Sequence, residues 1–364
     1  MNKVSGLEAV YRDYKSKGVK FFFVYKSLAH PETNGFIQPY TLQERIKHAK
    51  IATEKINATI PWLVDAIDNR LKHALGDRPN SEFIIDPKGM IVRSRGWSSP
   101  DETRKDLEKL VGPVKKVTSA REVNIKMNLG ANKKQEVATG VVKRVQRSRM
   151  RALKFEAKST KNAPFLAKLR PEADTSLMNG GRGKLYLGFH LDRIYEAHWN
   201  NAAGALKLQI EAPDGVKISK KEWTAPKPDV NSDADPRELL VDVENWRGKE
   251  GIKVSVRYFA CEGDRKCLAI SQEYTIYNRS DRDGGSARSG RGGGGFAGGD
   301  RIARMFTRYD RNKDGKLSKE EAPRQMQRMF ARADANQDGM LTKAELEKAM
   351  QNFRRPGGGG NVEA

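Results

Sequence analysis

Two stretches near the end of the chain spell the same pattern, DRNKDGKLSKEE at residues 310–321 and DANQDGMLTKAE at residues 334–345. They align at an offset of 24 residues, and the agreement continues outward to the Arg-Met-Phe triplets at 304–306 and 328–330. Each stretch has Asp, Asn and Asp at its first, third and fifth positions, Gly at its sixth and Glu at its twelfth. The duplication predicts two copies of one structural unit in this part of the chain.

The oxygen-bearing side chains of each stretch are spaced as a hard cation requires. Ca²⁺ takes roughly 6–8 oxygen ligands at about 2.3–2.6 Å, and alternate residues of a tight loop point inward to supply them. The Gly allows the sharp turn that brings the last Glu back as a bidentate ligand, the seventh residue gives its backbone carbonyl, and the ninth acts through a water. The pattern resembles the EF-hand family, which implies two bound Ca²⁺ ions. The predicted ligands are Asp310, Asn312, Asp314, Lys316, Ser318 and Glu321 in the first loop, and Asp334, Asn336, Asp338, Met340, Thr342 and Glu345 in the second.

The simpler alternative, an acidic turn between two helices, does not explain why the full ligand spacing occurs twice. The first loop has four acidic and four basic residues, a formal charge of zero, whereas the second has three acidic residues and one lysine, a net of −2. Coulomb attraction therefore predicts that the second loop binds Ca²⁺ first and more tightly. Residues 322–333 between the loops suffice for one helix of about 18 Å. We therefore expect a compact, all-α EF-hand pair over residues 300–354.

Composition limits what the remainder of the chain can be. Its 364 residues are enough for two or three domains, and no stretch approaches the roughly 18 apolar residues of a membrane span. The formal net charge of +22 permits anionic partners but does not choose among them. No apolar segment follows Met1, so no signal peptide is visible.

Residues 1–113 have the periodicities of an α/β domain. Val19–Tyr25 is a continuous apolar run typical of a strand buried on both faces. Thr41 and Glu44 form a capping box at the start of a long helix. The predicted order of elements is α-β-α-β-α-β-β-α, which indicates a sheet with helices on both faces.

This order, together with "VKFFFVYKSLAHPETNGF", "PWLVDAIDNRL" and "RPNSEFIIDPKGMIV", resembles the thioredoxin-like iodothyronine deiodinase family. The resemblance implies that His30 is the loop histidine of that family and that Pro79 occupies the position of its cis-proline. A surface histidine is the alternative for His30, and Asp65 either is functional or caps the next helix. The family's nucleophile and first strand would precede residue 1, so the domain is expected to be truncated, either because the true start lies upstream or because it is a remnant. Deiodinase-like activity is not expected of a domain that lacks its nucleophile.

Residues 114–174 form a basic stretch, predicted to be a linker with some strand or helix. Residues 114–170 have sixteen lysines and arginines against three acidic residues. A solvated run of charge is one interpretation, and a contact surface for an acidic polymer is the other.

Residues 175–280 contain five short segments of alternating apolar and polar residues, at 184–191, 206–211, 239–243, 252–259 and 272–277, which predict strands of an antiparallel β-sandwich. The end of this region, "VSVRYFACEGDRKCLAISQEYTI", resembles the immunoglobulin-like N-terminal domain of the thiol:disulfide interchange protein DsbD, with Cys261 and Cys267 as its Cys-x5-Cys pair. Arg265 and Lys266 would favour a thiolate at Cys267. Thiol–disulfide exchange, a static disulfide and free thiols all remain open. Either disulfide favours an extracytoplasmic location, periplasmic or secreted.

Residues 281–299 are predicted to be a Gly-rich linker and residues 355–364 a disordered tail. The sequence thus predicts a calcium-binding protein with two redox-related domains. Its alternatives are a thiol–disulfide oxidoreductase that uses Cys261 and Cys267 with a redox partner protein, and a binding module for an acidic polymer.

Overall fold

The chain divides into two units, Met1–Gly290 and Arg291–Ala364, which are described separately. In the first unit, the computed structural model describes residues 3–32, 35–126, 137–147, 150–160, 163–264 and 266–286. In the second, it describes residues 309–310, 312, 314–322, 330, 333–342 and 345. The predicted Gly-rich linker from residue 287 onward and the predicted tail lie outside the described residues.

The first part of the larger unit has the predicted order of helices and strands. Its eight principal elements are α1 (Lys3–Tyr14), β1 (Phe23–Tyr25), α2 (Leu42–Ile56), β2 (Trp62–Val64), α3 (Arg70–Leu75), β3 (Glu82–Ile85), β4 (Ile91–Arg95) and α4 (Pro100–Val111). A short helix, α5 (Ala120–Val123), follows them. The predicted α-β-α-β-α-β-β-α order is therefore confirmed.

The capping box predicted at the start of α2 is present. The Glu44 backbone N–H donates to the Thr41 hydroxyl at 3.2 Å, and the Thr41 N–H donates to the Glu44 carboxylate at 3.3 Å. The helix ends at Asn57, whose φ of 56° is left-handed. Two local signals thus set both ends of this helix.

The strands of this part do not form the single sheet that was predicted. β1 pairs in parallel with β2, and β3 pairs antiparallel with β4, as two separate ribbons. Among the described residues, no strand hydrogen-bonds with both ribbons and joins them into one sheet. The expected burial of Val19–Tyr25 on both faces is therefore wrong, since Phe22 and Val24 are exposed. No described peptide bond is cis, so the bond before Pro79 is trans, contrary to the expectation from the resemblance.

The second part of the larger unit is an eleven-stranded, almost wholly antiparallel sheet. The five segments predicted as strands are all strands. The full set is β5 (Arg151–Ser159), β6 (Ala167–Ala173), β7 (Gly183–Leu191), β8 (Ala197–Asn200), β9 (Lys207–Glu211), β10 (Lys217–Ile218), β11 (Glu222–Thr224), β12 (Ser232–Asp233), β13 (Arg237–Glu244), β14 (Ile252–Glu262) and β15 (Lys266–Ser280), with a helix, α6 (Thr175–Gly180), between β6 and β7.

This sheet begins earlier than the sequence boundary at residue 175. β5 and β6 lie in the stretch predicted to be a basic linker, and every residue of β6 is buried. The high charge of the stretch concealed them, because buried cations with partners cannot be distinguished from solvated cations by composition.

β5 connects two portions of the sheet. Its first residues pair with β6, in the order β10-β13-β7-β6-β5, and its last residues pair with β15, which continues to β14, β8 and β9. Side chains from both portions, including Phe189, Val241 and Tyr274, belong to one buried apolar cluster. The immunoglobulin-like sandwich remains a prediction.

In the smaller unit, two short strands join the duplicated stretches. β16 (Leu317–Ser318) pairs antiparallel with β17 (Met340–Leu341), and Leu317 lies opposite Leu341. Both leucines are fully buried. Tyr309, Phe330, Ala333 and Glu345 are helical, whereas most of the predicted flanking helices lies outside the described residues.

Candidate calcium loops and disulfide

The two loops of the smaller unit are built by the same hydrogen bonds. The Asn312 amide oxygen accepts from the Asp314 N–H at 3.0 Å, and the Asp310 carboxylate accepts from the Gly315 N–H at 3.0 Å. The second loop repeats both bonds at 3.1 and 2.9 Å, between the corresponding residues 24 positions later. Each short polar side chain holds the backbone two to five residues ahead in a tight turn.

The sixth residue of each loop has a backbone conformation that suits glycine. The φ angles of Gly315 and Gly339 are 79° and 77°. A side chain is strained in this left-handed region. The sharp turn predicted from the sequence is therefore present in both loops.

One carboxylate oxygen of the first aspartate in each loop is buried. Asp310 Oδ1 and Asp334 Oδ1 accept no hydrogen bond from the described residues. An unpaired buried carboxylate oxygen is costly, and a bound cation would remove that cost. In an EF-hand loop the residue at the first position supplies a carboxylate oxygen to the ion, so the residues present fit Ca²⁺.

The twelfth residue of each loop folds back over the turn. Glu321 accepts from the Asn312 and Ser318 N–H groups at 3.4 and 3.1 Å. Glu345 accepts from the Asn336 and Thr342 N–H groups at 3.4 and 2.9 Å. Hydrogen bonds from Thr342 and the neighbouring backbone hold the pKa of Glu345 below its usual value. The closing carboxylate of the second loop is therefore held in its ionised form.

Among the described residues, no three His, Cys, Asp or Glu side chains come together in a way that could hold a metal ion by themselves. A calcium ion in either loop would also need the amide, hydroxyl and backbone oxygens that the sequence predicts. Lys316 and Met340, at the seventh position, would contribute their carbonyls.

Cys261 and Cys267 form a disulfide across the β14–β15 hairpin. The free-thiol alternative does not hold in this structure. Cys261 is buried, with His198 opposite it on β8, whereas Cys267 is exposed beside the exposed Lys266. Arg265 lies outside the described residues. One of the two cysteines is thus an exposed residue near the tip of the hairpin.

Tyr258 lies within β14, which continues through Cys261 to Glu262. Its side chain is fully buried, and its hydroxyl accepts from the Gln272 amide at 2.8 Å and contacts the Ala167 backbone. The residue anchors the sheet interior.

His30 is exposed and lies close in space to Ser286, the last described residue of the larger unit. Its Nδ1 is 3.3 Å from the Ser286 hydroxyl oxygen and 3.4 Å from the Ser286 carbonyl oxygen. A cavity of about 290 Å³ next to it is lined by Lys26, Lys72 and Pro79.

Asp65 caps a helix. Its carboxylate accepts the N–H groups of Leu71 and Lys72, at 3.1 and 3.0 Å, in the first turn of α3. Helix capping, the simpler of the two interpretations from the sequence, therefore accounts for the geometry of this buried residue.

Several cations of the basic stretch form ion pairs with buried carboxylates. Arg144 makes a two-point contact with Glu238, at 2.7 and 2.8 Å, and Arg147 pairs with Glu172. Lys168 is fully buried. We call the group Glu32, Glu44, Arg147, Lys168, Arg170, Glu172 and Asp192 the ionic interface, since it joins the α/β part to the sheet.

The ionic interface was missed from the sequence because the pairs that join the α/β part to the sheet link residues more than 100 positions apart. Lys168 bonds Asp192 at 2.6 Å and Glu44, on α2, at 2.9 Å. The signal that could have revealed it is the alternation of Lys168, Arg170 and Glu172 with apolar residues in β6.

A comparison with known families agrees with the loop geometry. The family model for the EF hand matches residues 302–321 and 326–350, and these two segments contain both predicted loops. No curated protein matches the chain. The chain therefore carries two EF-hand segments. Among the described residues, none of the helices has the length and apolar character that crossing a membrane requires.

Proposed function

We propose that this chain binds two calcium ions, one in each of the loops 310–321 and 334–345. The observation that carries the proposal is the pair of buried oxygens on Asp310 and Asp334 that accept no hydrogen bond from the described residues, each in a loop with the EF-hand ligand spacing. The match of both segments to the EF-hand family supports it independently.

Isothermal titration of the full chain with CaCl₂ in chelator-treated buffer tests this proposal. We expect two ions per chain, and one ion for either Asp310→Ala or Asp334→Ala. Asp214→Ala, in an exposed turn of the sheet, is the matched control and should keep both ions. Absence of calcium binding by the unsubstituted chain would refute the proposal.

We further propose thiol–disulfide exchange at Cys261–Cys267 as a second candidate function. The exposure of Cys267 favours it, since a partner thiolate must reach one sulfur of the pair. Attack at Cys267 forms a mixed disulfide and releases the Cys261 thiolate, and a second thiolate completes the two-electron reduction. The burial of Cys261 opposes this step, because a thiolate is costly in apolar surroundings.

The reduction potential of the pair decides between exchange and a static bridge. Thiol trapping and mass spectrometry in graded glutathione buffers would measure it, with Cys261→Ser/Cys267→Ser as the control. A potential of about −120 to −230 mV supports exchange, whereas a pair still oxidised at about −300 mV is structural. A disulfide of either kind supports the proposed extracytoplasmic location.

Binding of an acidic polymer through residues 114–170 stays a weaker prediction. Arg144, Arg147, Lys168 and Arg170 already have carboxylate partners, so they are not available to such a ligand. Retention on heparin that disappears at high salt would support it.

A further inference from the structure

The seventh residue of the first calcium loop reaches across to the second loop. Lys316 Nζ lies 3.6 Å from Asp338 Oδ2, which makes an ion pair too long for a direct hydrogen bond. Asp338 is the fifth residue of the second loop and one of its predicted ligands. An ammonium group of the first loop thus lies beside a predicted ligand of the second loop.

Among the described residues, no reciprocal contact runs from the second loop to the first, because the two loops carry different residues at their seventh position. The second loop has Met340 where the first has Lys316. Among the described residues no cation pairs with Asp314, the counterpart of Asp338. Otherwise the two aspartates are held alike, each by an asparagine amide and by the N–H two residues on. Among the described contacts of these two aspartates, the Lys316 ion pair is therefore the one difference.

We propose that Lys316 sets the calcium affinity of the second loop rather than that of its own loop. This inference rests on the proposed calcium binding. An ammonium group beside Asp338 repels an incoming divalent cation and compensates part of the carboxylate charge that would attract it.

The position of this charge changes the comparison between the loops. Counted by sequence, the loops carry 0 and −2. When the Lys316 charge is moved from the first loop to the second, the values become −1 and −1. The two affinities are then expected to lie close together, in contrast to the order predicted from sequence. The β16–β17 pairing explains the transfer, because it places the seventh position of one loop alongside the other loop.

The test separates the loops with ligand variants of the full chain. Glu321→Gln disables the first loop and Glu345→Gln disables the second, so CaCl₂ titration of each background reports the loop that remains. Lys316→Met, which gives the first loop the residue of the second, is added to both backgrounds. We expect the second loop to bind about three- to tenfold more tightly and the first loop to change less than twofold.

The reciprocal substitution is the matched control. Met340→Lys should weaken the first loop, measured in the Glu345→Gln background, by a similar factor. A salt series gives a second readout, since the effect of Lys316→Met should shrink as NaCl increases. If Lys316→Met tightens the first loop and leaves the second unchanged, the lysine acts within its own loop and the inference is wrong. If neither background binds calcium, the proposed function itself fails.

Discussion

Lys168 is fully buried between the carboxylates of Glu44 and Asp192. Burying an ammonium group is tolerated here because two opposite charges lie within hydrogen-bonding distance of it. Tyr195 donates a further hydrogen bond to Glu44 at 2.8 Å, so the remaining carboxylate oxygens are partly satisfied. The residue is structural, although its sequence context suggested a surface charge.

Replacing Lys168 with Met should lower the free energy of unfolding by about 3–5 kcal/mol, because it leaves two buried carboxylates without their cation. Urea denaturation of the full chain at pH 7 measures the change. Lys158→Met, on the exposed side of β5, is the control and should change stability by less than about 0.5 kcal/mol. Equal effects of the two substitutions would contradict the role given to Lys168.

Glu238 gives a prediction that depends on pH. Burial alone would raise its pKa, but hydrogen bonds from Arg144 and Tyr186 outweigh burial and lower the pKa from 4.5 to about 2. Because the folded-state pKa is depressed, the resulting stability is present above about pH 4.5 and is lost as the pH falls toward 2. The shift corresponds to roughly 3 kcal/mol at most.

We therefore expect Glu238→Gln to be destabilised at pH 7 and to approach the unsubstituted chain between about pH 4.5 and 2. Urea denaturation at pH 7, 4 and 3 measures this convergence. Glu211→Gln, exposed on β9, should show no such trend. A difference that stays constant across the pH range would exclude the assigned ionic contribution.

At the scale of single elements, capping decides where several helices begin. Thr41 caps α2, Asp174 caps α6 by accepting from the Leu177 N–H at 2.8 Å, and Asp65 serves α3. The caps at Thr41 and Asp174 precede their helices directly, and the sequence identifies such residues readily. Asp65 follows β2 and lies six residues before Leu71, the nearest of the two groups that it binds. Because of this separation, the sequence left open whether Asp65 is a cap.

Asp65→Ala should cost about 1–2 kcal/mol, because the first turn of α3 loses both of its carboxylate hydrogen bonds. Urea denaturation measures the loss, and local amide hydrogen exchange should rise in residues 70–75. The control is Glu54→Ala, on the exposed face of α2. If hydrogen exchange in α3 is unchanged, the cap does not hold that helix.

At the scale of the whole molecule, the α/β part and the sheet share one unit, while the EF-hand segments belong to the other. Tyr40 donates to the Leu169 carbonyl at 2.8 Å, and Lys72 pairs with Asp283 at 2.6 Å, both across the junction between the α/β part and the sheet. These contacts, like the pairs that Glu32 and Glu44 make within the ionic interface, join residues more than 100 positions apart.

A fragment of residues 1–290 should therefore unfold in urea with the same midpoint as the corresponding transition of the full chain. Fragments 1–126 and 137–290, expressed alone, should each be far less stable, because each leaves partners of the ionic interface unpaired. NMR spectra of the three fragments measure this difference. Fragment 1–290 should give well-dispersed signals, whereas fragment 1–126 should give poorly dispersed signals. A well-folded fragment 1–126 would refute the dependence.

Much of the fold was predictable because its signals are local. The element order of the α/β part, the α2 capping box and the five predicted strands all follow from patterns within about fifteen residues. The calcium loops were predictable for the same reason, since their ligands lie within twelve consecutive residues. The strands β5 and β6 were not, because their cations pair with carboxylates in other elements.

The EF-hand loops, the order of the elements and the proximity of the two cysteines can be read from the residues alone. The exposure of Cys267 and burial of Cys261, the ion pairs of Arg144 and Arg147 with buried carboxylates, and the contact of Lys316 with Asp338 are visible only in the folded chain. The physical reason is that backbone turns and hydrophobic periodicity are local properties. The surroundings of a charge or a sulfur are instead set by whichever distant segments pack against it.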